Sequence, residues 1–243
     1  MDMVSSQPID RAGAETLEIM SAAPRYNAWQ YSRIAPYLGQ RVCEIGAGIG
    51  NLSALMLEER RELAVLTDID PYYRGILHER FAARPEVRVE PLTLPDPVAA
   101  RHLRDYRLDT AFALNVVEHI EDDIGALRSI ATMLEPGGRA VILVPAFQAL
   151  YGSLDRDLGH FRRYTRRSLA RVMQAAGFRM ERTFYFNAVG CLGWWWNGRV
   201  RRIDRIPVGQ LRSFDSLVPL LRVEDAIPLP AGQSVIGIGS LPS

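Results

Sequence analysis

Residues Val42-Cys-Glu-Ile-Gly-Ala-Gly-Ile-Gly-Asn51 combine an acid, Glu44, with glycines at positions 46, 48 and 50. An apolar run ends in the acid, and Leu52, Leu55 and Met56 then recur at helical spacing. The pattern predicts a strand, a sharp turn and a helix start. Glycine lets the backbone turn tightly and lets a ligand approach main-chain atoms that a Cβ would screen. Free N–H groups at the start of a helix favour an anionic group, so a carboxylate or phosphate is expected over residues 46–51. Two common ligand loops do not fit. A dinucleotide loop needs a small residue where Asn51 stands. A phosphate loop needs a lysine, and all 29 basic residues of this chain are arginine. Schiff-base chemistry on lysine is excluded for the same reason.

Other residues able to do chemistry lie further along. Asp68 and Asp70 follow the apolar run at 63–67, ahead of Pro71. A carboxylate there can accept hydrogen bonds from sugar hydroxyls or cap the next helix, a role that suits Asp70 better than Asp68. His119 lies in Asn115-Val-Val-Glu-His-Ile120. An imidazole, with an ordinary pKa of about 6.5, suits a general base; the alternative is that His119 only holds its loop. Pro145–Arg167 packs Tyr151, Asp155, Asp157, His160, Arg162, Arg163 and Tyr164 together. It reads as a lid with His160 and Tyr164 facing substrate, or as a surface loop of arginine–aspartate pairs. Tyr26, Trp29 and Tyr31 could cover a cationic ligand through cation–π attraction, or be core. Trp194-Trp-Trp196, followed by Arg199, Arg201, Arg202 and Arg205, suits packed cap core, a membrane headgroup boundary, a dimer interface or an aromatic substrate tunnel.

The elements that must hold these residues alternate. Strands are expected at 63–67, 87–89, 108–114, 139–144, 178–186 and 234–239. Between those at 108–114 and 139–144 lies a helix carrying Ile124, Leu127, Ile130, Ala131 and Leu134, stopped by Pro136-Gly-Gly138. Thr165 is expected to cap a further helix that Gly177 ends. Repeated β-α units predict a doubly wound α/β sheet, mostly parallel, with ligands beyond the carboxyl ends of the strands. The glycine loop, Asp68, Asn115 and Pro145 all fall at such ends. The expected organisation is an N-terminal helical segment over 1–39, a core over 40–186 and 233–243, and an inserted cap over 187–232.

The spacing E-x-G-x-G-x-G, with Asp68 three residues before Pro71 and the Asn115–Ile120 segment, resembles the class I S-adenosylmethionine-dependent methyltransferases. The stretch after the fifth strand resembles bacterial members acting on small molecules or lipid-linked sugars. The resemblance implies a Rossmann-like fold with an antiparallel last strand, and S-adenosylmethionine as cofactor, released as S-adenosylhomocysteine. It assigns Glu44, Gly46, Gly48 and Gly50 to the methionine end, Asp68 to the ribose, Ile69 and Leu94 to the adenine faces, and Asn115 and Val116 to the region beside the sulfur. Tyr26 is the candidate cover. Where the family carries an acid for the adenine amine this chain has Thr93, with Asp96 three positions later.

The expected activity is methyl transfer to an oxygen or nitrogen of a small metabolite, with His119, His160 and Tyr164 as candidate catalytic groups. The alternatives are a membrane-surface enzyme acting on a lipid or lipid-linked sugar, and a silent cofactor-binding protein. Metal is not expected, because the four histidines show no ligand spacing, although Glu118, Asp122 and Asp123 stand near His119. A formal charge of +1 gives no pull toward nucleic acid. Two distant cysteines and no apolar run of about 20 residues suit a cytoplasmic protein, monomeric or homodimeric.

Overall fold

In the computed structural model, Leu17, residues 20–196 and residues 208–243 are described. Seven strands form one sheet in the order β3-β2-β1-β4-β5-β7-β6. They are β1 (Arg41–Ile45), β2 (Leu63–Asp68), β3 (Val87–Pro91), β4 (Leu108–Leu114), β5 (Leu134–Pro145), β6 (Arg179–Phe186) and β7 (Ser234–Ser240). The first five pair in parallel, while β7 runs antiparallel to both β5 and β6. The central strands are buried on both faces, which is why β2 opens with the apolar run 63–66 and β4 closes with the apolar run 111–114.

Helices clothe both faces. Those used below are α1 (Pro24–Ile34), α2 (Asn51–Met56), α3 (Pro71–Arg80), α4 (Pro97–Arg101), α5 (Asp123–Met133), α6 (Ser153–Asp157), α7 (Arg166–Ala175), α8 (Ala188–Trp195) and α9 (Val208–Leu221). Two apolar layers result. One joins β-strand residues such as Val65, Ala113 and Ile142 to Leu127, Ile130, Leu169 and Met173; the other joins Leu66, Phe112 and Ile236 to Trp29, Ile34 and Met56. Thr165 caps α7, accepting from the Ser168 amide, and Gly177 follows its end with a φ of 103°.

One boundary moves. The helix expected to include Leu134 ends at Met133, and Leu134 starts β5 by pairing with Leu108. Burying Leu134 beside β4 outweighs its place in the helical repeat, and a register shift absorbs Pro136-Gly-Gly138 before pairing resumes at Arg139. Tyr26, Trp29, Phe186 and Phe214 form an aromatic cluster that ties α1 to α9. Asp215 accepts from the Tyr26 amide at 2.8 Å, and Asp225 from the Trp29 indole at 2.9 Å. Phe214, Asp215 and Asp225 thus pack against the N-terminal helix. No helix among the described residues is long and apolar enough to cross a membrane.

Candidate active site

β1 and β4 are neighbours, and the chain leaves them in opposite directions along the sheet, so a crevice opens beyond their carboxyl ends. The glycine loop follows β1. Gly46, Gly48 and Gly50 have φ of 69°, 54° and 79°, a region that costs residues with a Cβ. A Cβ on Gly46 would lie 2.7 Å from Val116 Cγ2, and one on Gly48 would lie 2.9 Å from Leu17 Cδ1. The loop is therefore pressed between the start of the β4 exit and the N-terminal segment.

Two carboxylates hold this loop. Glu44 is buried and accepts from the Ser53 hydroxyl of α2 at 2.5 Å, while its carbonyl accepts from Thr67 Oγ1 at 3.0 Å. Burial pushes the Glu44 carboxyl up to about 8, with Ser53 pulling down and Asp68 pushing up. Asp68 Oδ2 accepts from the Gly48 amide and Oδ1 from the Asp70 amide, both at 2.9 Å. Burial raises the Asp68 pKa, and those two amides oppose it. Asp70 caps α3 by accepting from the Tyr72 amide at 2.9 Å, which frees Asp68 from that role. Ile69, 61% exposed, stands at the strand end as an apolar face for a planar ring.

The loop's donor set suits the amino-acid end of S-adenosylmethionine: it turns at three glycines whose backbone no Cβ screens, beside a carboxylate whose remaining lone pairs can accept from hydroxyls. Asn115 is exposed, with its amide on the Leu143 carbonyl at 2.9 Å and a φ of 55°, which turns the chain into a helical turn at Val117–His119. Leu94, half-buried, precedes a cis Leu94–Pro95 bond and packs on the core. Asp96 caps α4 by accepting from the amides of Val98 and Ala99, a role that competes with binding an adenine amine.

Beyond Asn115 the lid stretch folds back on the β4 exit. The Phe161 amide donates to the Glu118 carbonyl at 2.8 Å, and Tyr164 bridges to Ala146. Asp155, fully buried at the end of β5's exit loop, is gripped by Arg163 through Nε at 2.7 Å and Nη2 at 3.1 Å. It also meets His160 Nδ1 at 2.9 Å. Burial would raise the Asp155 pKa, but His160, Arg163 and the Gly152 amide together hold it below the ordinary value. The His119 and His160 rings meet edge to face with centroids 4.6 Å apart. Glu118 lies at their side, fully buried, and burial pushes its carboxyl up to about 8.

Several sequence expectations change. Tyr164 does not face an open cavity; it is buried with its hydroxyl donating to Asp123 at 2.8 Å, and burial drives its pKa well up. It anchors the lid. Tyr26 is packed among Trp29, Phe186 and Phe214, and burial pushes its hydroxyl up to about 12, so its ring serves the core instead of covering a ligand. Glu44 acts on the loop through Ser53, making it a positioning residue. The histidines that lack ligand spacing in sequence are brought together with Glu118 by the fold. Of the tryptophans, Trp194 lies under the Arg163 guanidinium at 4.8 Å, while Trp195 and Trp196 are 47% and 52% exposed. Arg199, Arg201, Arg202 and Arg205 lie outside the described residues. Ser53 and Leu17 were not singled out from sequence. Arginine–aspartate pairing is among the readings of the stretch holding Asp155 and Arg163, but as a surface feature, and the pair is buried.

The buried Glu44 carboxyl gives stability a pH dependence. Its folded pKa, about 8, lies above the ordinary 4.5, so the favourable state is complete below about 4.5 and is lost as pH rises through 8. Glu44→Gln should flatten that loss, worth at most about 5 kcal/mol, in urea titrations between pH 5 and pH 8.5. Parallel pH profiles for both proteins would show that Glu44 is already ionised in the fold.

The methyltransferase-domain family profile matches residues 18–183. The chain therefore belongs to that family, and its fold is the Rossmann-like fold of the class I S-adenosylmethionine-dependent methyltransferases. A tRNA U34 carboxymethyltransferase from Syntrophotalea carbinolica is 28% identical over 72% of this chain and 51% of its own length. A ubiquinone biosynthesis O-methyltransferase from Paracidovorax citrulli is 30% identical over 43% of each chain. The chain thus spans about half or less of the length of these curated relatives. Among solved structures, a Haloferax volcanii methyltransferase in complex with the Trm112 activator superposes with a TM-score of 0.63 at 16% identity, covering 96% of this chain and 95% of that one. At that identity the likeness is one of fold.

Proposed function

We propose that this chain transfers a methyl group from S-adenosylmethionine to an oxygen or nitrogen of a small metabolite. The observation that carries the reading is the meeting of the glycine loop, Asp68 and the Asn115–Val116 exit at one sheet edge, with His119 and His160 just beyond. The sulfonium supplies an electrophilic methyl carbon. The protein's task is then to hold the acceptor in line and away from water, which can supply several kcal/mol of the barrier. Gly46, Gly48 and Gly50 seat the amino-acid end, Asp68 the ribose and Ile69 the adenine. An acceptor oxygen must also lose its proton, and the imidazoles of His119 and His160 are the groups placed to receive it.

A second reading, an acceptor presented at a lipid surface, draws on α8. This helix buries none of its residues, and Val189, Leu192, Trp195 and Trp196 are exposed. Four arginines follow within nine residues in the sequence. Apolar rings beside positive charge suit an anionic headgroup region. One experiment separates the readings. Calorimetry should first show binding of S-adenosylmethionine and of S-adenosylhomocysteine. Labelled methyl transfer to a cell extract, fractionated into small molecules, lipids and RNA, should then place label in the small-molecule fraction. Label in the lipid fraction selects the second reading. Label in RNA, or cofactor binding with no transfer, removes both.

A further inference from the structure

Glu118, His119 and His160 come from two separate loops, yet one potential ligand atom from each lies within 4.8 Å of the others. They sit at the carboxyl ends of β4 and β5, next to the Asn115–Val116 exit. Glu118 is fully buried, and among the described residues neither of its carboxylate oxygens has a hydrogen-bond partner. Buried carboxylates are almost always paired, because removing them from water is costly. Arg163, whose charge acts on Glu118, directs its bonds elsewhere: Nε and Nη2 go to Asp155 and Nη1 to the Ala146 carbonyl. The Glu118 oxygens thus lie beside His119 and His160 with no described group bonded to them.

The histidine beside them is held by a carboxylate. Asp155 can only accept when ionised, so His160 donates to it through Nδ1, and in the neutral imidazole Nε2 then carries the lone pair. A carboxylate holding one imidazole nitrogen while the other binds outward is the usual support of a metal-ligating histidine. Arg163 fixes that carboxylate in turn.

We propose that Glu118, His119 and His160 form a divalent transition-metal site, with Asp155 as the residue positioning His160. Two imidazoles and one carboxylate suit zinc, manganese or ferrous iron over calcium or magnesium, which prefer oxygen. Bonds of about 2.1 Å to each ligand would draw the ligand atoms to roughly 3.4 Å apart. Closing from 4.8 Å needs a change of side-chain rotamer, and exposed His119 has the room for it. Three protein ligands leave a coordination position open. If the methyl-transfer reading holds, an acceptor hydroxyl bound there would give up its proton more readily than one in water, with the cation in place of an imidazole base.

The test is titration of zinc chloride into tag-free, chelator-treated full-length protein by calorimetry, without S-adenosylmethionine. One equivalent should bind with micromolar or tighter affinity, and His119→Ala and Glu118→Gln should each weaken binding at least tenfold. S-adenosylmethionine affinity of both variants, measured on the same samples, should stay within about twofold of the parent. Absence of saturable zinc binding overturns the site, as does zinc binding that neither variant changes. Should Glu118→Gln not fold, His119→Ala decides, since that side chain is exposed. Zinc binding without S-adenosylmethionine binding keeps the cation site and removes the proposed function; the reverse result does the opposite.

Discussion

Asp155→Ala is expected to cost about 3–5 kcal/mol of stability, the largest loss from a single substitution in the lid. Asp155 is fully buried, and Arg163, only 6% exposed, depends on it for two charged hydrogen bonds. Truncation leaves the guanidinium buried with no counter-charge. For a chain of this size that loss lowers the melting temperature by roughly 10 °C. A drop of less than about 1 kcal/mol in urea unfolding would mean that Arg163 finds solvent or another acceptor. Replacing both partners by apolar residues, Asp155→Leu with Arg163→Met, should recover part of the loss, since no charge then remains buried.

The second large effect concerns ligand affinity. Asp68→Ala should raise the dissociation constant for S-adenosylmethionine roughly 30- to 150-fold, about 2–3 kcal/mol. The substitution removes a charged acceptor from the ribose and releases the Gly48 amide, so the loop loses its seat as well. Asp68→Asn keeps one acceptor oxygen and should fall between the two. Calorimetry on all three proteins gives the answer, and equal affinities would place the ribose elsewhere.

Much of this arrangement was legible because local patterns carried it. The strand at 108–114 appears with the expected bounds, its second half from 111 to 114 being apolar on both faces. The glycine loop announced its own geometry, and Asp70 its cap. Tyr26 and Tyr164 were different. A tyrosine's place, core or cavity, is set by what lies across from it, here Phe186 and Phe214 for one and Asp123 for the other. Those partners are far away in sequence and leave no periodic trace. The Glu118–His119–His160 corner escaped for the same reason, because ligand spacing along the chain says nothing about ligands delivered by two strands. The tryptophan triplet read as one motif, but a short helix turns its members to different sides, and only Trp194 packs on the lid.

The reversed strand β7 has an architectural consequence. β6 runs with β5, because both oppose β7, so β6 finishes and β7 begins on the edge that carries the glycine loop and the histidines. The polypeptide joining them must therefore leave and rejoin the sheet on that edge, irrespective of its length or sequence. Exchanging that connector would thus change what borders this edge, while the glycine loop after β1 lies three strands from β7 and four from β6 in the sheet order.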